Sequence, residues 1–255
     1  MSTHQWRDTW LLHRRQLVQL VLVALAFIVV WTATGWVLTN WLQGSAIENL
    51  DTRVSRNLAE NRSERWNQLT AVGSMLADTT VKVVVTTIVA TAMLIGWRRW
   101  REPLMVVVAL VLEATCFIIV TTIVGRQRPD VARLESSPVD SSYPSGHVAA
   151  AVTYGAIIVV VFWHTSSRWL RTLSVAIVAA IAFAVAYSRV YRGMHYLSDV
   201  IMGSLLGAAS VAATAFILRR AIEEDSSLDA NGSVLSLGAG RADGEMADTG
   251  ATTLP

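Results

Sequence analysis

Six long apolar runs constrain the fold of this 255-residue chain more than any other feature. They extend over residues 17–38, 81–97, 104–124, 148–163, 172–187 and 200–218, and the sequence also allows the second run to begin near Leu69. As a helix rising about 1.5 Å per residue, the first run is long enough to cross the roughly 30 Å of hydrocarbon in a bilayer. Because an unpaired strand cannot cross lipid, we predict an all-α fold, a six-transmembrane helical bundle.

The composition is typical of a membrane protein rather than a soluble domain. Hydrophobic residues make up 53% of the chain and charged residues only 16%. The net charge is +2, and the basic residues cluster at the ends of the apolar runs. We therefore predict that they set membrane topology and do not bind nucleic acid.

Arginines at the ends of the runs predict the orientation of the bundle. Those that flank the runs on one side are Arg14, Arg15, Arg98, Arg99, Arg101, Arg168, Arg171, Arg219 and Arg220. Since basic residues are enriched in cytoplasmic segments, we predict an integral membrane protein whose N- and C-termini are both cytoplasmic. Residues 125–143 then lie outside.

Two stretches between or beyond the runs differ in composition. Residues 41–67 mix acidic and basic side chains at a spacing that suits one or two amphipathic helices on the outer surface, and a solvated loop is an equally good interpretation. Residues 221–255 are rich in Ser, Asp, Gly and Ala and bury too little surface to fold. We predict a membrane-embedded domain over residues 1–220 and a disordered cytoplasmic tail over residues 221–255.

Three polar segments adjoin the apolar runs and carry the candidate chemistry. The first is Gly125-Arg126-Gln127-Arg128-Pro129, the second is Tyr143-Pro144-Ser145-Gly146-His147, and the third covers residues 188–199 with Ser188, Arg189, Arg192, His195 and Asp199. The alternating direction of the six runs brings all three segments to the same side. We expect one active site at the outer membrane–water interface.

The residue types in these segments suit a phosphate. Arg128 and Arg189 each offer a fork of donors that fits phosphate oxygens. Ser145 adds a hydroxyl, and if Gly146 begins a helix, the free N–H groups of its first turn provide an anion site.

Two histidines provide the acid–base and nucleophilic chemistry. If the chain is helical after Gly193, His195 and Asp199 lie one turn apart, so that Asp199 can fix the tautomer of His195. We interpret His195 as the nucleophile and His147 as the group that protonates the leaving oxygen and later activates water. The residue chemistry alone would allow the two histidines to be exchanged.

In this order the three segments resemble the signature of the type-2 phosphatidic acid phosphatase superfamily, written Lys-x6-Arg-Pro, Pro-Ser-Gly-His and Ser-Arg-x5-His-x3-Asp. The second and third motifs match at every specified position, and the first matches at Arg128 and Pro129. The resemblance implies an integral-membrane, metal-independent lipid phosphatase that works through a phosphohistidine, with the same roles for His195 and His147. It also implies polyprenyl diphosphate, phosphatidic acid or phosphatidylglycerol phosphate as substrate, with undecaprenyl diphosphate as the first candidate.

The chain departs from the first motif at Thr121, where the family has lysine. A lysine would add a cation to the phosphate, whereas threonine offers only a hydroxyl. We hypothesise that Lys82 or Arg126 supplies the missing charge. In the alternative interpretation, Lys82 reaches the outer surface and pairs with Asp78.

Three other functions are compatible with the sequence. A phosphotransferase would pass the phosphate to another acceptor, a lipid-binding scaffold would have a degenerate site, and a metal site would use His147, His195 and Asp199 as ligands. The nearby arginines argue against a bound cation. We predict no cofactor and no metal; the expected partners are a membrane lipid phosphate and the bilayer, without an obligate protein partner.

Overall fold

The computed structural model describes residues 12, 14–98, 100–137 and 139–219. Within these ranges the chain forms α1 (Arg14–Trp36), α2 (Ala46–Glu60), α3 (Glu64–Met75), α4 (Thr79–Trp97), α5 (Arg101–Val124), α6 (Gly146–Thr153), α7 (Gly155–His164), α8 (Arg168–Tyr191) and α9 (Leu197–Arg219). A π-helical turn, Val37–Trp41, extends α1. The predicted tail over residues 221–255, and with it the domain boundary at residue 220, lies outside the described residues.

Six helical segments are long and apolar enough to cross a membrane. They are Arg14–Trp41, Thr79–Trp97, Arg101–Val124, Gly146–His164, Arg168–Tyr191 and Leu197–Arg219. Each coincides with one predicted run, and the described residues contain no strand. Large apolar side chains on these segments point outward, with Ile95 and Phe183 each 73% exposed. The prediction of an all-α bundle with six spans is confirmed, and the chain is a multi-pass membrane protein.

The charged stretch before the second span forms two capped helices and not a loop. The Ser45 hydroxyl accepts a hydrogen bond from the N–H of Glu48, and the Glu48 carboxylate accepts one from the N–H of Gly44. The Ser63 hydroxyl accepts from the N–H of Trp66 in the same way. These bonds satisfy N–H groups that a helix start leaves free, which explains where α2 and α3 begin.

Two glycines place α9 directly against α6. A Cβ atom at Gly203 would lie 2.4 Å from the carbonyl oxygen of Ser145, and one at Gly207 would lie 2.4 Å from that of Ala149. Small residues spaced by four positions allow helix backbones to approach this closely. Because α6 and α9 both begin near this contact, their N-terminal ends come together.

A buried polar network joins α2 to the start of α9. Asp51 is 2% exposed. Its Oδ1 atom accepts a hydrogen bond from the N–H of Ser198 at 2.9 Å, and its Oδ2 atom accepts one from Nη2 of Arg126 at 3.0 Å. Nη1 of Arg126 donates to Oδ1 of Asp199 at 2.5 Å. The guanidinium therefore lies between two carboxylates in the interior of the protein.

We expect Asp51→Asn to destabilise the protein, because it leaves part of the buried Arg126 charge uncompensated. Breaking a buried ion pair costs about 3 kcal/mol, which corresponds to a fall of roughly 6–12 °C in the melting temperature of a chain of this size. Thermal unfolding in detergent measures the change. Glu60→Gln, on the exposed side of the same helix, is the matched control; equal melting temperatures for the two variants would contradict the prediction.

Candidate active site

The three polar segments meet at one end of the bundle. Nδ1 of His195 lies 2.6 Å from the carbonyl oxygen of Ser142. The N–H of Ser145 donates to the carbonyl oxygen of Asp199 at 3.1 Å. A guanidinium N–H of Arg128 donates to the carbonyl oxygen of Met194. The structure thus brings together residues that the sequence places up to 66 positions apart.

His195 lies in the turn between α8 and α9 and is 4% exposed. A carbonyl oxygen can only accept, so the hydrogen bond to Ser142 places the proton on Nδ1 and leaves the lone pair on Nε2. Burial, reinforced by the positive charges of Arg189 and Arg128, holds the pKa of His195 well below its usual value. At neutral pH the residue is an uncharged imidazole with a free Nε2 lone pair.

Asp199 does not have the partner that we expected. The helix α9 begins at Leu197, so His195 precedes it and the two residues are not one helical turn apart. Oδ2 of Asp199 accepts the N–H of Tyr196 at 2.9 Å, and Oδ1 accepts from Arg126. Asp199 therefore caps the start of α9, and the carbonyl of Ser142 takes the orienting position at His195.

Arg126 belongs to the network of Asp51 and Asp199 and not to the phosphate donors. Its Nη1 atom donates to Ser198 as well as to Asp199, and its guanidinium lies over the ring of Tyr196, 4.6 Å from the centroid. Burial opposes its charge, but the two carboxylates more than offset this effect, and the pKa of Arg126 is raised. This geometry does not support the hypothesis that Arg126 replaces the missing lysine, because both of its terminal nitrogens are engaged in the network.

The side chain of Lys82 has a different neighbour from the two that we considered, the phosphate site and Asp78. Its ammonium lies within electrostatic range of Glu113, a carboxylate on α5 that is fully buried. Asp78, its predicted ion-pair partner, instead contacts His147. Thr121 is 3% exposed, and its hydroxyl has no hydrogen-bond partner among the described residues. We therefore do not assign Lys82 to the phosphate site.

His147 is the second residue of α6 and forms a pair with Asp78. Its Nε2 atom lies 2.9 Å from Oδ1 of Asp78. The imidazole is 30% exposed and the carboxylate 48% exposed, so both face a space that solvent or substrate can enter. His147 lies within electrostatic range of His195 and Arg189.

Arg189, at the end of α8, is held by two acceptors. Its Nη1 atom donates to the Ser74 hydroxyl at 2.7 Å and to the Glu135 carboxylate. Glu135 also contacts Arg192. Burial favours the neutral form of Glu135, but the two arginines outweigh this effect and lower its pKa, so it is charged. Within the described structure, Nε of Arg189 is buried without a partner.

Arg128 ties the loop after α5 to the turn before α9. Its Nη2 atom donates to Ser137 at 2.9 Å, to Val139 at 2.8 Å and to Ser141 at 3.0 Å. Burial and the charge of Arg189 lower its pKa to about 10, which still leaves a cation at neutral pH. Only its Nε atom is buried without a partner in the described part of the chain, so Arg128 offers less than the full fork of donors.

Ser145 and Gly146 form the start of α6. Ser145 is fully buried, and its hydroxyl lacks a hydrogen-bond partner among the residues described. A Cβ atom at Gly146 would lie 2.6 Å from the ring of Phe117, which explains the glycine at this position. The first N–H groups of a helix have no intrahelical partner. The segment therefore adds backbone and hydroxyl donors to those of the arginines.

The arrangement of these groups is suited to an anion next to a neutral imidazole. Arg128 and Arg189 lie within electrostatic range of each other and of His195. The donors without partners are Nε of both arginines and the Ser145 hydroxyl, within the described ranges. By contrast, no group of three or more His, Cys, Asp or Glu side chains in those ranges could hold a metal ion.

The sequence alone did not identify four residues of this site: Ser142, Asp51, Asp78 and Glu135. Ser142 acts through its backbone, so its side chain gives no signal. Asp51 does leave a signal, because it lies on the inner face of an amphipathic helix where a carboxylate needs a partner. Asp78 directly precedes α4, a position where aspartate is usually explained by capping.

Comparisons with known proteins agree with this geometry. Residues 102–223 match the model of the PAP2 superfamily. Undecaprenyl-diphosphatase from Sulfolobus acidocaldarius is 35% identical over 124 residues, which are 46% of this chain and 56% of that protein. Phosphatidylglycerophosphatase B from Bacillus subtilis is 41% identical over 88 residues, 33% of this chain and 42% of that protein. The chain thus matches about half the length, or less, of these relatives.

Two crystal structures share the fold. The transmembrane PAP2-type phosphatidylglycerolphosphate phosphatase from Bacillus subtilis aligns with a TM-score of 0.61 and 21% identity, over 79% of this chain and 94% of that one. Aquifex aeolicus LpxE aligns with a TM-score of 0.51 and 24% identity, over 67% of this chain and 95% of that one. The similarity of fold extends beyond the matched motifs to at least two thirds of this chain. With the motifs around Ser145 and His195, the match shows that residues 102–223 of this chain are similar to the PAP2 superfamily.

Proposed function

We propose that this protein is an integral-membrane phosphatase that hydrolyses a lipid phosphate or diphosphate through a phosphohistidine intermediate. One observation carries the proposal: a buried, neutral His195 whose Nε2 lone pair is free lies near arginine and serine donors that have no partner in the described structure. An imidazole held in this state is a nucleophile. The unpaired donors are suited to the charge on a phosphoryl group.

The proposed reaction has two steps. In the first, Nε2 of His195 attacks phosphorus, the N–P bond forms, the bond to the leaving oxygen breaks, and His147 gives that oxygen a proton. In the second, water attacks the phosphohistidine, His147 takes its proton, and inorganic phosphate leaves. Arg128, Arg189 and Ser145 neutralise the phosphoryl oxygens throughout.

The lipid substrate is proposed from the relatives and from the surface next to the site. The relatives are named for undecaprenyl diphosphate and phosphatidylglycerophosphate, and undecaprenyl diphosphate is our first candidate. The helix that holds Arg189 through Ser74 is α3, and it exposes an apolar stripe formed by Trp66, Leu69, Val72 and Met75. Such a stripe suits contact with hydrocarbon chains near the phosphate site.

The proposed orientation places the site on the outer face of the cell membrane. Arg98 follows α4, Arg101 begins α5, and Arg168 and Arg171 lie at the start of α8, all at the ends opposite the candidate site. Positive residues are enriched on the cytoplasmic side. We therefore propose cytoplasmic termini and hydrolysis at the outer leaflet.

We expect purified protein in detergent with a chelator to release phosphate from lipid phosphates, and His195→Ala to lower the rate by at least about 1,000-fold because the nucleophile is lost. Phosphate release from undecaprenyl diphosphate, phosphatidylglycerophosphate and phosphatidic acid is the measurement. His164→Ala, at a histidine that pairs with Glu102 away from the site, is the control and should retain activity.

The same assay separates the competing functions. A phosphotransferase would form a new phosphate ester when an acceptor alcohol is added, and a scaffold would release no phosphate. Near wild-type activity of His195→Ala would contradict the proposed nucleophile. Loss of activity on chelation would contradict the proposed metal independence.

We also expect activity to persist as the pH falls through 6.5. The lowered pKa of His195 means that the nucleophile keeps its lone pair at pH values where an ordinary histidine is protonated. The acid limb of kcat/KM should therefore lie below about pH 6.5. We would measure kcat/KM against pH for two substrates whose phosphate pKa values differ. An acid limb that belongs to the enzyme has the same position for both substrates. A shared acid limb above that value would contradict the prediction.

A further inference from the structure

Asp78 is a residue that the family motifs do not include. It lies directly before α4, outside residues 102–223, which match the PAP2 model. Its carboxylate is 2.9 Å from Nε2 of His147. This contact joins the α3–α4 turn to the start of α6, two parts of the chain separated by 69 positions.

The local structure indicates that this aspartate does not serve its own helix. Asp78 has φ −59° and ψ 147°, a backbone conformation from which an N-cap side chain can accept hydrogen bonds from the first turn. Its carboxylate makes no such bond. A capping bond stabilises a helix. The Asp78 side chain does not form this capping bond and contacts His147 instead.

The contact determines which nitrogen of His147 is available to a substrate. A carboxylate can only accept, so the proton shared with Asp78 is on Nε2, and Nδ1 is the nitrogen left for the reaction. The charged groups within electrostatic range of the imidazole are Arg189, Glu135 and Asp78. Burial and the charge of Arg189 disfavour a second proton on the ring, and the adjacent Asp78 carboxylate favours it.

We propose that Asp78 is a positioning residue for the acid–base step, an inference that rests on the proposed phosphatase function. It holds the His147 ring through Nε2–H and stabilises the imidazolium, whose Nδ1–H is transferred to the leaving oxygen as the P–O bond breaks. The ring that remains is neutral, with its lone pair on Nδ1. That lone pair accepts the proton of the water that then attacks the phosphohistidine.

This role makes activity depend on the leaving group. An alkoxide or a lipid phosphate needs the proton from His147, whereas a nitrophenolate leaves without it. We expect Asp78→Asn to lower kcat for an alkyl or lipid phosphate by about 10- to 100-fold, and for p-nitrophenyl phosphate by less than about 3-fold. The KM values should change little, because in the described structure the Asp78 side chain has no hydrogen bond to Arg128, Arg189 or Ser145 and acts on Arg189 only through its charge.

Two further variants separate this role from a structural one. Asp78→Ser can cap α4 but has no carboxylate, so it should keep the wild-type melting temperature and show the same leaving-group dependence as Asp78→Asn. Asp78→Glu restores a carboxylate and should recover part of the activity on alkyl phosphates. Glu64→Gln, which removes an exposed carboxylate from α3, is the matched control and should behave as wild type.

The result that would overturn the inference is a fully active Asp78→Asn, or an equal loss on alkyl and nitrophenyl phosphates in both Asp78→Asn and Asp78→Ser. Failure of the underlying function has a different result: the wild-type protein itself then releases no phosphate from any of these substrates. Because wild type is measured on every substrate, the two failures are distinguished within one experiment.

Discussion

The geometry of the site depends on the two ion pairs that Arg126 forms with Asp51 and Asp199. A guanidinium removed from water needs compensating charge, and two carboxylates from α2 and α9 supply it at 3.0 Å and 2.5 Å. The same carboxylates bind backbone N–H groups of Ser198 and Tyr196. The network therefore fixes where α9 begins, and the start of α9 determines the position of the turn that carries His195.

The phosphate donors are held by contacts that leave part of their capacity unused. Both terminal nitrogens of Arg128 donate hydrogen bonds, one to Met194 and the other to the loop after α5. Arg189 is held by Ser74 and Glu135. Buried donors without partners cost free energy in the absence of a ligand. A bound phosphoryl group would satisfy them, and since their positions are already determined, little reorganisation would accompany binding.

His195 and His147 are oriented in opposite ways, which suits different tasks. His195 is buried, and a backbone carbonyl binds Nδ1, so that Nε2 is free and the ring is neutral. His147 is partly exposed, and a carboxylate binds Nε2. The uncharged carbonyl at His195 leaves that ring neutral, as a nucleophile requires. The carboxylate at His147 stabilises the protonated ring, as a proton donor requires.

Hydropathy predicted the six spans, because hydrocarbon thickness sets the length of an apolar helix and each run lies within a helix of at least 19 residues. The order of the three polar segments and the direction of the spans likewise predicted that Arg128, Ser145, His147, Arg189 and His195 would share one end of the bundle. The partners of these residues could not be predicted in the same way. The expected pairing of Asp199 with His195 required a helix through both, and the helix begins two residues after His195.

The sequence by itself thus determined the class of fold, the spans and the motif residues that share one end of the bundle, because these depend on composition and spacing along one chain. Only the tertiary structure decided which charges compensate one another. Arg126 pairs with Asp51 on a helix 75 positions away, Asp78 pairs with His147, and Lys82 lies near Glu113. Such pairs form wherever packing excludes water between two charged groups, and that depends on how the helices meet and not on their separation in the chain.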